Sequence, residues 1–331
     1  MKVFITGCNG LIGSFIARRF LAEGYELVAL KRKNSDLSFI QDFANQIEWI
    51  EGDLLDIPAL EKGMEHCVYV IHCAAIVSFN PKEKSEMYQI NIEGTANVVN
   101  TALKYKIKKL CHISSIAALG RKKDTFVINE NSKWEDSSAN THYAKTKYLS
   151  ELEVWRAQAE GLATVILNPS VVLGPGDWNK SSSQVFKYIW DKKSYYSLGQ
   201  LNYIDVRDLA EITYQLTVSD AVNDRFIING GFCTYKTFFD HVADNLNKPR
   251  PSKKITPFLA AVAWRVAAIY SLISGKPPFI TRETASVAQK SYTYENSKIS
   301  DLLNYTFREL DETVKWTCAE LIKYYQLDVK S

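Results

Sequence analysis

Short apolar runs alternate with segments of helical periodicity through the first half of this 331-residue chain, and this alternation constrains its fold most. The runs at Tyr69–Ala75 and Lys109–Ser115 are compact and apolar, which is typical of strands buried on both faces. Strands that alternate with helices predict βαβ units and a parallel sheet. The predicted strands are Lys2–Thr6, Glu26–Arg32, Ile47–Ile50, Tyr69–Ala75, Lys109–Ser115 and Ala163–Asn168, and the predicted helices cover residues 11–23, about 83–105 and about 142–160.

The pattern changes after Pro169. A turn cluster at Gly174–Asp177 precedes strand-like runs at Tyr203–Val206 and Arg225–Asn229, which flank a helix at 207–218. From residue 231 the chain is mostly helical and rich in tyrosine. The predicted domains are a sheet domain at 1–170, to which the chain returns at about 203–230, and a smaller lobe at 171–202 and 231–331.

Composition and charge exclude several classes of protein. Hydrophobic residues make up 46% of the chain and charged residues 23%, which is ordinary for a globular protein and excludes disorder over most of its length. The net charge of +3 is too close to neutral to indicate a nucleic-acid partner. The six cysteines form no C-x-x-C pair and the N-terminus has no signal-peptide pattern, so we expect a cytoplasmic protein with reduced thiols and no metal site.

Three glycines follow the first predicted strand at a spacing suited to a phosphate-binding turn. Gly7, Gly10 and Gly13 form a G-x-x-G-x-x-G pattern immediately before the first predicted helix. The first glycine permits a tight turn, the second lets the backbone approach a pyrophosphate, and the third lets helix and strand pack closely. The free N–H groups at the start of the helix then face the phosphates. The pattern predicts a dinucleotide cofactor.

The second predicted strand ends in cations. Lys31, Arg32 and Lys33 follow one another, and no acidic residue occurs after them before Asp36. An acidic group at this position binds the ribose 2′-hydroxyl of NAD, whereas a basic group accommodates the 2′-phosphate of NADP. We therefore expect NADP, with NAD as the alternative. Asp53, after the third strand, either accepts a hydrogen bond from the adenine amino group or caps a turn.

Tyr143 and Lys147 are four residues apart at the start of a predicted helix and therefore lie on one face of it. A lysine ammonium beside a phenol favours the phenolate and lowers the pKa of the tyrosine, which makes Tyr143 a usable general acid or base. Ser114 and Ser115 end the fifth predicted strand, at the edge of the sheet where parallel sheets bind ligands. A hydroxyl there can hold a substrate carbonyl beside Tyr143.

These features belong to a longer series of motifs that spans nearly the whole chain. The motifs are Thr6–Gly13, Gly52–Leu54, His72–Ala75, Asn91–Thr95, Ser114–Ser115, Tyr143-x-x-x-Lys147, Asn168–Ser170, Gly174–Gly176 and Tyr203–Asp208. In this order they resemble the extended short-chain dehydrogenase/reductase family, within the NAD-dependent epimerase/dehydratase superfamily. The resemblance implies an α/β fold, a Rossmann-type doubly wound parallel sheet with a smaller, mainly helical C-terminal substrate lobe.

The resemblance also implies a reaction and its residues. Hydride is transferred at the nicotinamide C4, with Tyr143 as proton donor, Lys147 holding the nicotinamide ribose and Ser115 orienting the carbonyl. Ser115 is chosen over Ser114 because Gly120 follows it by five residues, as in the family. The implied cofactor-binding residues are Gly7, Gly10, Leu11, Ile12, Gly13, Arg32, Asp53, Leu54, Cys73, Ala74, Ala75, Tyr143, Lys147, Pro169 and Val172.

Within the family the chain is most similar to the dihydroflavonol reductase and 3β-hydroxysteroid dehydrogenase branch. The stretches that carry this similarity are Leu30–Leu37, Pro277–Thr281 and Tyr294–Ser297. His72 and Asn91 are interpreted as residues that pack a strand and fix the backbone. A homodimer is a family expectation only.

Three functions stay open. The Ser115, Tyr143 and Lys147 set favours an NADP-dependent oxidoreductase that interconverts an apolar ketone or aldehyde and an alcohol. A nucleotide-sugar epimerase or dehydratase is the second, although residues 171–204 contain no arginine to bind a diphosphate. A non-catalytic NADP sensor is the third, although such relatives often lose the Tyr/Lys pair.

Two segments of the lobe bear on the substrate. The first holds aromatic residues that predict an apolar substrate wall, with core packing as the alternative; they are Trp178, Phe186, Tyr188, Trp190, Tyr195 and Tyr196. The second, Phe258–Ile273, is apolar almost all round and is too short and interrupted to predict a membrane span. It is interpreted either as a core helix of the lobe or as a helix that covers the substrate cleft, with part of its surface able to rest on lipid.

Overall fold

A computed structural model describes residues 1–121, 127–137, 140–274 and 281–327 of the chain. Residues 277–280 of the branch-specific stretch lie outside these ranges. The side chains of residues 268–273 in the apolar segment also lie outside the description.

The described residues form fourteen strands, most of them in the first 230 residues. They are β1 (Lys2–Thr6), β2 (Glu26–Lys31), β3 (Ile47–Glu51), β4 (Cys67–His72), β5 (Lys109–Ile113), β6 (Val127–Ile128), β7 (Thr164–Pro169), β8 (Val171–Leu173), β9 (Tyr195–Ser197), β10 (Gln200–Asp205), β11 (Asp224–Ile228), β12 (Gly231–Thr234), β13 (Lys253–Ile255) and β14 (Thr293–Tyr294).

Twelve α-helices connect and cover these strands in the described ranges. They are α1 (Leu11–Ala22), α2 (Ile57–Met64), α3 (Lys84–Tyr88), α4 (Gly94–Lys104), α5 (His142–Ala159), α6 (Gln184–Trp190), α7 (Val206–Val218), α8 (Tyr235–Asn245), α9 (Pro257–Ser274), α10 (Arg282–Val287), α11 (Ser297–Leu303) and α12 (Leu310–Tyr325).

Seven strands form one parallel sheet in the order β11-β7-β5-β4-β1-β2-β3. Thr6 at the end of β1 lies opposite Leu30 on one side and His72 on the other. The chain builds outward from β1 to β3 and then crosses to the other side of β1, so the strand order reverses between β1 and β4. Parallel sheets bind ligands at such a switch point. The doubly wound sheet expected from the sequence is therefore confirmed.

Helices cover both faces of this sheet, which explains why its central strands are apolar runs rather than alternating patterns. On one face, Phe20 of α1 and Leu209 of α7 belong to the same buried cluster. On the other, Met64 of α2, Val98 of α4 and Val154 of α5 form a second cluster. Every residue of β5 and β7 is buried.

The helix predicted at about 83–105 is not uniform. α3 and α4 are joined by one wide, π-helical turn at Gln89–Glu93. Such turns are rare and are frequently found at functional sites. The wide turn holds Asn91, whose side chain reaches two other segments of the chain, as described below.

The lobe packs around its own core, and this favours one of the two interpretations of its aromatic residues. β8, β10 and β12 form a small sheet against α6, α8 and α12. Phe186 is fully buried against Phe238, and Trp178 stacks on Tyr325 with ring centroids 4.3 Å apart. The described aromatic residues at 178–196 thus build the lobe core instead of a substrate wall, except Tyr195, which is exposed. Apolar side chains pack wherever neighbouring helices exclude water, and the sequence did not show which helices would meet here.

The apolar helix also differs from expectation. α9 packs against β13 and α10, and only Ala260 is buried among its described side chains. Phe258 remains 75% exposed and Val266 60% exposed. The interpretation of this segment as a core helix is therefore wrong over residues 258–267. No helix in the described ranges is long and apolar enough to cross a membrane.

Candidate active site

The glycine turn after β1 brings two stretches of backbone into close contact at the switch point. Gly7 adopts a φ of +71°, a conformation that L side chains rarely adopt, and a Cβ there would lie 2.8 Å from the backbone nitrogen of Ala74. A Cβ on Gly13 would lie 2.1 Å from the carbonyl oxygen of Gly7. Both positions therefore require glycine for steric reasons. The turn is shaped so that backbone, rather than side chains, faces the cleft.

Helix α1 begins directly behind this turn with an uncapped end. Gly10 is its N-cap residue, adopts an extended conformation and provides no side-chain oxygen for the first N–H groups. No acidic residue occurs in the first turn. The positive end of the helix dipole is therefore uncompensated where a phosphate would bind. Leu11 and Ile12 are half-buried behind it.

The ends of β2 and β3 carry the residues expected to contact the adenosine half of the cofactor. Lys31 is the last residue of β2, and the exposed Arg32 follows it. β3 ends at Glu51, two residues before Asp53, so Asp53 lies in the loop beyond the strand. Its Oδ1 accepts a hydrogen bond from the backbone N–H of Leu55 at 2.8 Å. Asp53 therefore caps a turn in this structure, and its contact with the adenine amino group stays a prediction.

A chain of hydrogen bonds ties β1, β4 and α4 together below the glycine turn. Thr6 Oγ1 accepts from the backbone N–H of Ala74 at 3.2 Å and lies 2.8 Å from His72 Nδ1. His72 Nε2 lies 3.0 Å from Thr95 Oγ1, which in turn donates to the carbonyl of Asn91. Burial lowers the pKa of His72 to about 3, so it stays neutral. His72 is therefore a packing residue that positions the Cys73–Ala75 backbone.

Tyr143 and Lys147 lie on the first two turns of α5, whose start is capped by the Thr141 hydroxyl. Lys147 is buried, and its Nζ donates to the carbonyl of Ile113, the last residue of β5, at 2.9 Å. The Ser115 hydroxyl accepts from the backbone N–H of Ala117 and acts to lower the pKa of the Tyr143 phenol. The three predicted catalytic residues thus converge beside the end of β5, next to the switch point.

The protonation equilibria differ from the expectation for Tyr143. Burial raises the pKa of its phenol, and the Ser115 side chain partly opposes this effect. Burial also lowers the pKa of Lys147 to about 8, whereas the Glu151 carboxylate acts to raise it. The expected lowering of the tyrosine pKa by the lysine is not found. The ammonium of Lys147 is directed to the carbonyl of Ile113, and desolvation dominates at the phenol.

Ser114 does not face the cleft. Its hydroxyl donates to Glu151 Oε1 at 2.5 Å, inside the protein. Asn168 Nδ2 donates to the same oxygen at 2.6 Å and to the carbonyl of Ser115 at 2.9 Å, and Arg225 approaches the other oxygen at 3.3 Å. This buried cluster, which we call the Glu151 cluster, joins β5, β7, β11 and α5. It fixes the strand end that carries Ser115 relative to the helix that carries Tyr143.

Sequence reasoning missed Phe79 and Glu151, whereas Asn91 fixes the backbone as it was interpreted to do. Phe79, in the loop after β4, lies edge-on to the Tyr143 ring with centroids 6.1 Å apart. Asn91 bonds both backbone groups of Ile76 and the hydroxyl of Thr146, so the loop after β4 is tied to α5. Glu151 follows Lys147 by one helical turn, and this spacing was a signal that could have found it.

The remaining residues expected to bind the cofactor lie on three segments, namely the loop after β3, the end of β7 and strand β8 of the small sheet. Leu54 is buried against Gly94. Pro169 ends β7, and Val172 is buried in β8. Leu11 Cδ1 would lie 3.3 Å from a Cβ on Gly174, which places α1 against the segment after β8. No group of three or more His, Cys, Asp or Glu side chains in the described ranges could hold a metal ion.

This architecture defines the class of protein as an NAD(P)-dependent oxidoreductase with a Rossmann-type sheet. Residues 3–228 match the profile of the NAD dependent epimerase/dehydratase family. Because this match covers more than half of the chain, the protein belongs to that family.

Named relatives agree with this class. The chain is 26% identical over 330 residues to a putative dihydroflavonol 4-reductase of Synechocystis, covering 98% of this chain and 94% of the relative. It is 32% identical over 224 residues to cinnamoyl-CoA reductase 2 of Arabidopsis thaliana, covering 63% and 66% of the two chains. Among solved structures it resembles gox2253, with a TM-score of 0.82, 26% identity and 98% of each chain covered.

Proposed function

We propose that this protein is an NADP-dependent oxidoreductase that transfers hydride between nicotinamide and an apolar ketone or aldehyde, or the corresponding secondary alcohol. The observation that carries the proposal is the convergence of Ser115, Tyr143 and Lys147 at the end of β5. Relatives named as reductases of a dihydroflavonol and a cinnamoyl-CoA support it. The cytoplasmic location and the homodimer stay predictions.

The residues around the glycine turn fit a dinucleotide. A Cβ would fill the space at Gly7 and at Gly13, and the N-terminus of α1 carries no capping oxygen. The turn and the helix end would hold the pyrophosphate, the Cys73–Ala75 backbone would lie against a ribose, and Lys147 would hold the nicotinamide ribose. When bound, the cofactor supplies or accepts the hydride.

The protein's own groups handle the oxygen and its proton. In the reducing direction, the Ser115 hydroxyl donates a hydrogen bond to the substrate carbonyl and so fixes its position. The Tyr143 phenol gives its proton to the oxygen as negative charge develops there. Phe79, edge-on to Tyr143, contributes an apolar side to the cleft, which favours an apolar substrate.

The proposal is tested by removing the proton donor alone. Tyr143→Phe should lower kcat for carbonyl reduction by roughly two to four orders of magnitude, the contribution expected of a general acid, while cofactor affinity is kept. Tyr148→Phe is the matched control, because Tyr148 lies on the same helix with its ring stacked on Trp134. Steady-state assays over a panel of apolar carbonyls measure the effect.

Two results would contradict the proposal. One is near-wild-type reduction by the Tyr143→Phe variant. The other is a wild-type protein that binds the cofactor in calorimetry and turns over none of the carbonyls, which is the behaviour of a sensor.

A further inference from the structure

One face of helix α9 is apolar and exposed. Phe258, Leu259, Val262 and Val266 are 75%, 45%, 42% and 60% exposed. At about 100° per residue these positions, with the exposed Ala263 between them, fall on one side of the helix. We call them the α9 face. Single apolar side chains are common on protein surfaces. A contiguous apolar face, in contrast, usually marks a site of interaction with a protein, a membrane or a ligand.

The opposite side of the helix holds it to the lobe. Ala260 is buried, Trp264 is half-buried, and α9 contacts α10 and β13. The α9 face has no packing partner in the part of the chain that the structure describes. The helix is thus anchored on one side and presents its apolar side outward.

The chain around the α9 face is strongly basic. Residues 245–282 contain no Asp or Glu, in a protein whose net charge is only +3. The same stretch contains seven cations, namely Lys248, Arg250, Lys253, Lys254, Arg265, Lys276 and Arg282, of which Arg250 is paired with Asp244 at 2.7 Å. Lys253 and Lys254 are exposed five and four residues before Phe258, and no carboxylate pairs with either within the described ranges.

We infer that the α9 face docks on the surface of a membrane that carries anionic phospholipid. Apolar side chains in the interface gain free energy from burial, and neighbouring Lys and Arg side chains gain it from the negative surface potential. Both features are present here within a single helix and the strand before it. The helix lies on the membrane and does not span it.

The charge of the surrounding chain argues against a second copy of the protein as the partner that covers the α9 face. Two copies joined through this face would bring Lys253 and Lys254 of each copy together, and no carboxylate pairs with these lysines within the described ranges. An anionic lipid surface supplies the missing negative charge.

The docked surface lies close to the catalytic helix. α10 contacts α9, and Glu283 of α10 accepts a hydrogen bond from the backbone N–H of His142 at 3.2 Å. His142 is the residue before Tyr143. A protein docked through α9 would therefore hold the start of α5 one helix away from the lipid.

The experiment is co-sedimentation of the full-length protein with vesicles. Vesicles of phosphatidylcholine alone are compared with mixed phosphatidylcholine and phosphatidylserine vesicles, at low and at raised ionic strength. Wild-type protein should sediment with the mixed vesicles, and its affinity should fall as salt is added because the surface potential is screened. It should bind neutral vesicles weakly.

Two pairs of variants separate the apolar and electrostatic contributions. Phe258→Ser with Val266→Ser should reduce vesicle affinity about tenfold or more, whereas Phe232→Ser, which removes an exposed phenylalanine on β12, should not. Lys253→Gln with Lys254→Gln should reduce affinity for the mixed vesicles about fivefold per lysine. Lys106→Gln with Lys315→Gln is its control, at two exposed lysines elsewhere.

The outcomes are decisive in either direction. Wild-type protein that stays in the supernatant with every vesicle, or variants that bind as their controls do, would overturn the inference. So would a change in oligomeric state, measured by light scattering without lipid, that accompanies the Phe258 and Val266 substitutions, because the face would then be a protein interface. Cofactor affinity, measured in parallel, reports that the variants are folded and does not depend on lipid.

Discussion

Lys147 is subject to two opposing influences. Burial lowers its pKa to about 8, and the Glu151 carboxylate one turn further along α5 raises it. Burial raises the pKa of Glu151, although Ser114, Asn168 and Arg225 stabilise its charged form. The charge of the lysine near neutral pH therefore depends on the Glu151 cluster as well as on its own surroundings. Because Lys147 is expected to hold the nicotinamide ribose beside Tyr143, the cluster would affect the reaction without touching the substrate.

Glu151→Gln is predicted to shift the alkaline limb of the kcat–pH profile to lower pH. The sign follows from charge: without the carboxylate, the charged form of Lys147 is less stable, so its pKa falls further below 8 and the lysine loses its proton earlier. The glutamine oxygen can still accept from Ser114. Glu153→Gln, on the same helix and paired with Arg156 at the surface, should leave the limb in place. An unchanged limb in the Glu151 variant would show that the cluster is structural only.

Arg32 is predicted to select the cofactor. Arg32→Asp should weaken NADP binding about ten- to a hundredfold, because a charge-assisted hydrogen bond to the 2′-phosphate is replaced by repulsion, and it should spare NAD. Lys62→Asp makes the same change in charge at an exposed position on α2 and is the control. Isothermal titration calorimetry with both cofactors measures the ratio. A wild-type protein that binds NAD more tightly than NADP would refute the charge argument.

At the scale of elements, the glycine turn is a steric junction between β1, α1 and the segment after β4. The closest approach is at Gly13, where a Cβ would meet the Gly7 carbonyl, whereas a Cβ on Gly10 would lie 3.3 Å from the same oxygen. Gly10 also has extended backbone angles that any residue can adopt. The two glycines therefore differ in what they tolerate, although they belong to one motif.

Gly13→Ala is predicted to destabilise the protein by about 1–3 kcal/mol, because helix α1 must move away from the turn. Gly10→Ala should cost well under about 1 kcal/mol, as expected for an N-cap position that already lacks a side-chain oxygen. Urea denaturation without cofactor measures both, which separates the effect on the fold from any effect on binding. Equal losses for the two variants would contradict the steric account.

At the scale of the whole molecule, the Tyr203–Asp208 motif joins the sheet domain to the C-terminal part of the chain. Asp208, buried on α7, accepts hydrogen bonds from the Tyr305 hydroxyl and the Arg308 backbone N–H, each at 2.9 Å, and forms an ion pair with the Arg308 guanidinium. Asp205 accepts from the Thr313 hydroxyl of α12 at 3.0 Å. The motif thus holds the C-terminal part of the chain against α7 through hydrogen bonds and an ion pair.

Asp208→Ala is predicted to lower the free energy of unfolding by about 2–3 kcal/mol. The substitution leaves three donors without their acceptor, and the loss is moderated because the Arg308 guanidinium is partly exposed to water. Asp311→Ala, which removes an exposed carboxylate near His241, should change stability by less than about 0.5 kcal/mol. The comparison is made between denaturation midpoints of variants with equal m-values. An Asp208 variant as stable as the wild type would show that packing alone maintains the connection.

The sequence by itself determined the features that depend on short stretches of chain. The alternation of strands and helices, the glycines that permit the turn after β1 and the four-residue spacing of Tyr143 and Lys147 are local properties. Backbone conformation, helical periodicity and steric freedom fix them, whatever the rest of the molecule does. The sheet and the family followed from these local features.

Only the tertiary structure decided how distant residues meet. Ser114 and Ser115 are neighbours in sequence, yet one bonds the buried Glu151 and the other interacts with Tyr143, because the strand end turns between α5 and the cleft. The aromatic residues of the lobe became core, and the apolar α9 face became surface, because burial depends on which elements pack together. The sequence shows how apolar each side chain is. How far that side chain is removed from water depends on neighbours that are distant along the chain.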